Sequence, residues 1–147
     1  MMKSLMIGAV SLGLAACGAE PAPREFDRDP SLSSDLPFSS AVVVGDTIYL
    51  SGSIGRALGS MDLVEGGVGA ETTQIFENYR ATLARHNADL TDIVKCTVFL
   101  DDMAHYGEMN AAYAAAFPGD KPARSTLGAD GLALGAAVEI ECLAIRK

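Results

Sequence analysis

Residues 93–100 read Ile-Val-Lys-Cys-Thr-Val-Phe-Leu, and residues 137–145 read Ala-Val-Glu-Ile-Glu-Cys-Leu-Ala-Ile. Both stretches alternate. In the first, Val94, Cys96, Val98 and Leu100 fall on one side and Lys95, Thr97 and Phe99 on the other. In the second, Val138, Ile140, Cys142 and Ala144 oppose Glu139 and Glu141. A period of two is the pleat of a strand with one face in a core. Between them, Met103–Phe117 places Tyr106, Met109, Tyr113 and Phe117 at spacings of three and four, which predicts a helix stopped by Pro118-Gly119. Upstream, Ile75, Tyr79 and Leu83 share one face of a helix expected over 71–87.

Working outward, 41–44 and 47–51 flank Gly45-Asp46 and read as a β-hairpin. Residues 25–28 read as an edge strand, 29–37 as a loop with two prolines, and 124–127 as a short strand. Gly55, Gly59, Gly66, Gly67 and Gly69 mark 55–69 as a mobile loop. The order β-β-β-α-β-α-β-β predicts an α+β fold, a mixed β-sheet backed by two helices on one face. The opposite face mixes Phe99 with Lys95 and Glu139, the composition of a subunit interface with a polar rim.

The chain has 147 residues, enough for one domain. Nearly half are hydrophobic, which excludes a disordered chain. A net charge of -8 argues against nucleic acid as a partner. Two histidines and three cysteines leave little for a metal site, and none is expected.

The first 16 residues, MMKSLMIGAVSLGLAA, have a positive start at Lys3 and then an apolar run. That run is too short to span a bilayer and matches a secretory signal. Leu14-Ala15-Ala16-Cys17 resembles the lipobox of bacterial lipoproteins, so 1–16 is expected to be removed and Cys17 lipidated. Residues 17–23 would then be a tether and 24–147 the domain. The expected location is the cell envelope, held to a membrane by the lipid on Cys17. Gly18, where an Asp would signal inner-membrane retention, favours the periplasmic face of the outer membrane. Cys96 and Cys142 each fall on a core face. Buried thiols are the default reading, with a disulfide as the alternative.

No P-loop is present, and Gly67-Val68-Gly69-Ala70 lacks the third glycine of a dinucleotide fingerprint. His86 reads as a helix C-terminal cap. The serines have no histidine partner in view. The constellation that stands out is Arg124, just after Pro122, together with Glu139 on the next strand. If those strands are neighbours, the two side chains approach one pocket. A guanidinium grips a planar carboxylate bidentately, and a nearby carboxylate orients or deprotonates a water.

Six segments in order resemble the RidA (YjgF-type) enamine/imine deaminases. They are Pro37-Phe38-Ser39-Ser40-Ala41-Val42, Tyr49-Leu50-Ser51-Gly52, residues 93–100, Met109-Asn110-Ala111-Ala112-Tyr113 through Phe117, Pro122-Ala123-Arg124-Ser125, and Val138-Glu139-Ile140-Glu141. The resemblance implies a chorismate-mutase-like fold. It further implies a homotrimer with its sheets packed into a central barrel and sites between subunits. It implies hydrolysis of 2-iminopropanoate and 2-iminobutanoate, or their enamine tautomers, to 2-oxo acids and ammonia, with no cofactor. By the same resemblance Arg124 holds the substrate carboxylate, Glu139 positions the attacking water, Asn110 is a pocket residue, and Ser51 and Gly52 line the site with Phe38.

The chain departs from that family where Phe38 replaces a usual tyrosine, Thr126 a frequent cysteine, and Ser53 and Gly55 the usual Gln and Pro. The alternative reading is a non-catalytic envelope protein that binds or senses small carboxylates. The ribonuclease activity sometimes attributed to the family fits neither the charge nor the export signal.

Overall fold

The computed structural model describes residues 21–30 and 35–147. The expected signal over 1–16, Cys17 and most of the tether lie outside the described residues. Six strands form one sheet in the order β1-β2-β3-β6-β4-β5. They are β1 (Arg24–Asp27), β2 (Ala41–Val44), β3 (Thr47–Ile54), β4 (Ile93–Leu100), β5 (Ala123–Gly128) and β6 (Val138–Ile145). Only β4 and β5 run parallel, so the sheet is mixed. Helices α1 (Gly67–Ala84) and α2 (Tyr106–Ala116) pack on one face.

The alternation in β4 and β6 sets that face. Cys96, Val98, Leu100, Val138, Ile140 and Ala144 are buried beneath Ile75, Phe76 and Leu83 of α1 and Met109 of α2. Phe76 meets Tyr113 and Phe117 edge-on, joining the two helices through aromatic contacts. The open face carries half-exposed Tyr49 and Leu127 beside Lys95, which donates to Ser125 Oγ at 2.8 Å.

Two β-bulges depart from simple alternation. In β4, Ile93 pairs with Ala144 but Lys95 with Leu143, so one extra residue enters. That residue is Val94, which turns outward; Ile93 takes the core position expected for it. In β3, Leu50 pairs with Cys142 and Ser53 with Ile140, so Ser51 and Gly52 together oppose Glu141. The buried Tyr79 hydroxyl fills the gap, lying 3.0 Å from the Ser51 carbonyl and against that of Ile140. Burial pushes Tyr79 well above its ordinary pKa, and the charges of Glu141 and Glu139 add to this.

The default reading of Cys96 and Cys142 as free thiols is corrected. They face each other across β4 and β6 and form a disulfide. Both the alternation and the register place them on one side, which periodicity alone does not convert into a pair.

Helix α1 starts and ends earlier than expected. Gly66, at φ 114°, turns the chain into it. At the other end, Arg85 and His86 donate to Thr82 and Leu83, and Asn87 takes a left-handed φ of 56°. His86 therefore does not cap the helix. Its buried ring reaches Asp27 Oδ2 at 3.0 Å, and Arg85 grips the same oxygen at 2.7 Å, tying β1 to α1. Burial pushes the Asp27 carboxyl up, but hydrogen bonds from Arg85 and His86 outweigh this and hold it below its usual range.

The loop over 55–69, expected to be mobile, carries backbone pairing of its own and a tie to α1. Arg56 pairs with Leu63, Val64 N donates to the Gly55 carbonyl at 2.8 Å, and Asn78 of α1 donates to the Arg56 carbonyl at 2.9 Å. Gly55 is pressed so close to Glu71 of α1 that a Cβ there would overlap it.

Candidate active site

The residues singled out from sequence fall into two groups on opposite faces of the sheet. The first is built on β5 and α2. Pro122 leads into β5, and the parallel register sets Arg124 beside Cys96, on the helical face. Its guanidinium lies against α2. Nη2 donates to Asn110 Oδ1 at 2.8 Å and to Tyr106 Oη at 3.0 Å. The guanidinium carbon stands 4.6 Å from the centre of the Tyr113 ring. Among the described residues no carboxylate forms an ion pair with Arg124. The fork is held flat and oriented by neutral groups, and among the described residues no carboxylate matches its charge.

Two buried hydroxyls near this arginine, Tyr113 Oη and Thr126 Oγ1, have no hydrogen-bond partner among the described residues. Burial pushes the Tyr113 phenol up to about 12, with the Arg124 charge pulling the other way. Helical spacing by itself accounts for Tyr106 and Tyr113 only as core positions. The signal that could have found them is Asn110, a polar residue four after Tyr106 and three before Tyr113, inside an otherwise apolar helix face.

The second group is built on β3, β6 and the segment before β2. Glu139 pairs with Phe99 and Ile54, so it projects from the open face. The bulge at Ser51-Gly52 makes room for it: a Cβ on Gly52 would collide with Glu139 Oε1. Ser51 N donates to the Ser40 carbonyl at 3.0 Å, and its hydroxyl donates to the Ser39 carbonyl at 2.6 Å. The Ser51 proton is thus already used, and the residue's work is to seat the segment that carries Phe38. Phe38, Ser51, Gly52 and Glu139 line one cavity of about 470 Å³, where strands β1 and β2 stop and the edge of β3 is free. Apolar side chains of Leu58, Met61 and Leu134 complete its wall.

The condition placed on the sequence reading is therefore not met within one chain. Strand β4 lies between β5 and β6, and Arg124 and Glu139 sit on opposite faces. The structure brings Arg124 together with Asn110, and Glu139 with Phe38, Ser51 and Gly52. Among the described residues no cluster of three or more His, Cys, Asp or Glu side chains is arranged to hold a metal ion.

These two half-sites sit on a chain with clear relatives. The family described as Endoribonuclease L-PSP matches residues 30–146. The 2-iminobutanoate/2-iminopropanoate deaminase of Homo sapiens is 39% identical over 110 residues, covering 75% of this chain and 80% of that protein. Protein DfrA of Myxococcus xanthus is 37% identical over 126 residues, covering 84% and 96%. Among solved structures, RidA from the Antarctic bacterium Psychrobacter superposes with a TM-score of 0.75 at 32% identity, over 82% of this chain and 97% of that one. The YjgF gene product of E. coli gives 0.76 at 28% identity, over 84% and 99%. Matching in sequence and fold over most of its length, the chain belongs to the RidA (YjgF-type) family.

Proposed function

We propose that this protein hydrolyses reactive 2-imino acids and their enamine tautomers to 2-oxo acids and ammonia, at sites completed where two copies meet in a homotrimer. The observation that carries the reading is the division of labour in the geometry. One face of the sheet offers an oriented arginine with no carboxylate of its own. The other offers a carboxylate beside a cavity sized for a small ligand. Each group lacks what the other supplies. The deaminase-named relatives support the same chemistry.

In this reading Arg124 of one copy binds the substrate carboxylate bidentately, with Asn110 and Tyr106 fixing the plane of its fork. Glu139 of the next copy accepts a hydrogen bond from a water and directs its oxygen at C2. As the C–O bond forms, the water loses a proton and the C=N electrons pass to nitrogen, which takes one up, giving the carbinolamine. Its amino nitrogen then takes a second proton and leaves as ammonia, while the hydroxyl gives up its proton and its O–H electrons close the C=O bond of the 2-oxo acid. Imine and water are consumed; 2-oxo acid and ammonia appear. The imine hydrolyses slowly unaided, so positioning supplies most of the effect.

Export and anchoring through Cys17 belong to the same proposal. The Cys96–Cys142 disulfide supports an oxidising compartment such as the periplasm. A second reading, carboxylate binding without turnover, is favoured by one observation: Phe38 brings a ring to the cavity without a hydroxyl.

The test generates 2-iminopropanoate and 2-iminobutanoate from alanine and 2-aminobutanoate with an amino-acid oxidase, and traps the imine with semicarbazide. The purified protein is expected to suppress the semicarbazone signal. Arg124→Ala should lower that effect about 100- to 1,000-fold, the weight of a bidentate charge-assisted pair. Arg124→Lys should recover little of it, because a point charge does not reproduce the fork. Full suppression by Arg124→Ala would reject the assignment.

A further inference from the structure

The cavity at Glu139 is larger than the simplest imino acids require. A three-carbon imino acid has six heavy atoms and fills at most roughly 180 Å³, counting each as a water's share of liquid volume, ~30 Å³. The cavity measures about 470 Å³. Large apolar side chains make up much of its wall, among polar ones such as Ser53, Asn78 and Thr82. Phe38, Leu58, Met61 and Leu134 all line it, and each is about half exposed.

The charged groups at this wall are already engaged. Arg56 Nη1 turns back onto its own loop, donating to the Ser60 carbonyl at 2.7 Å and meeting Met61 Sδ at 3.2 Å. Asp29 pairs with Arg85 at 3.7 Å. The loop that presents Leu58 and Met61 is anchored at both ends, by the Arg56–Leu63 pairing and by Asn78 of α1. Leu134 is held at φ 57°, a conformation that a branched side chain avoids unless its surroundings impose it. Such strain gathers at ligand-clamping positions. Four large apolar side chains that one chain leaves exposed around the cavity beside Glu139 form a wall suited to an apolar substituent.

We propose that Phe38, Leu58, Met61 and Leu134 form a side-chain subsite, so that this protein prefers 2-imino acids with large apolar side chains, such as those derived from leucine, over three- and four-carbon ones. For its chemistry, and for the Arg124 that would hold the ligand's carboxylate, this rests on the deaminase reading above; the preference between side chains rests on the cavity wall. Burying one more methylene multiplies affinity about fourfold, so three extra carbons that enter the subsite leave a wide margin.

The experiment separates binding from turnover. Titration calorimetry compares the stable 2-oxo acids 4-methyl-2-oxopentanoate and pyruvate on the purified protein. A Kd at least tenfold lower for the larger acid is expected. Leu58→Ser and Met61→Ser should each cut that ratio at least threefold. A ratio near one, or a ratio that neither substitution changes, overturns the subsite. In parallel, the semicarbazide assay compares imines made from leucine and alanine. Turnover of both, with a binding ratio near one, keeps the deaminase and rejects the subsite. Turnover of neither, with the tenfold ratio intact, rejects the deaminase and keeps the subsite.

Discussion

Arg124 and Glu139 lie on opposite faces of one sheet, their strands separated by β4. No side-chain rotation brings them together within a chain. Subunit mixing follows directly. Arg124→Ala and Glu139→Gln proteins should each be inactive alone. Refolded together at equal concentration, they should regain about a quarter of the parent activity. In the proposed homotrimer, three-quarters of random trimers would be mixed, and each mixed trimer would hold one intact site in three. Absence of recovery in a verified mixed trimer would reject the shared site.

Tyr79 is the keystone of the β3 bulge. Its hydroxyl serves the carbonyls of Ser51 and Ile140, which flank Gly52 and Glu139. Tyr79→Phe keeps the ring and strands buried acceptors, so stability should fall by about 1–3 kcal/mol. Turnover should fall with it, because the bulge is what seats Glu139 over Gly52. Chemical denaturation and the imine assay read the two effects. A variant as stable as the parent would show that water replaces the phenol there.

The disulfide closes a segment of 46 residues that includes all of α2 and β5. Loop-closure entropy gives it about 4 kcal/mol. Cys96→Ala/Cys142→Ala should lose up to that amount and melt well below the parent. Melting the parent with and without a reductant, after complete reduction in denaturant, checks this. Equal melting temperatures would contradict the bond.

Glu71 predicts the sign of one pH effect. Its carboxylate is buried on α1, where Ala137 N donates to it at 3.0 Å. Burial pushes its pKa up, the Ala137 and Val138 amides oppose this, Asp101 adds to it and His105 opposes it, leaving the group raised. A carboxyl raised in the folded state contributes most below its unfolded pKa. That contribution is lost as pH rises through the folded value. The stability of the parent relative to Glu71→Gln should therefore decline from about pH 4 toward neutrality and then level off. A difference that grows with pH would mean the amides dominate.

Most of the architecture was legible because β4 and β6 alternate and α2 repeats at helical spacing. These patterns are local, and one buried face imposes them. What was not legible is what depends on two segments meeting. Val94 carries a core-type side chain, and only the register against Leu143 and Ala144 reveals that it is squeezed outward. Cys96 and Cys142 each look like buried thiols until the strands are paired. His86 looked like a cap because Asp27, its partner, is 59 residues away. For the site, the residue types were readable and their sharing of a pocket was not. Adjacency in sequence suggested β5 next to β6, but β6 inserts between β3 and β4.

The covalent tie between β4 and β6 has a consequence for how copies fit together. Each sheet carries the Arg124 group on one face and the Glu139 group on the other, so in the proposed homotrimer the sheet would be the wedge between successive neighbours. In such a closed ring every wedge would have to subtend the same angle, and an error in one would be passed to all. The Cys96–Cys142 bond crosses the middle of that wedge, between the strand that bears Glu139 and the one that adjoins Arg124. In the proposed ring it would act as a gauge block, holding β4 and β6 at one spacing in the part whose shape would decide whether the last subunit meets the first.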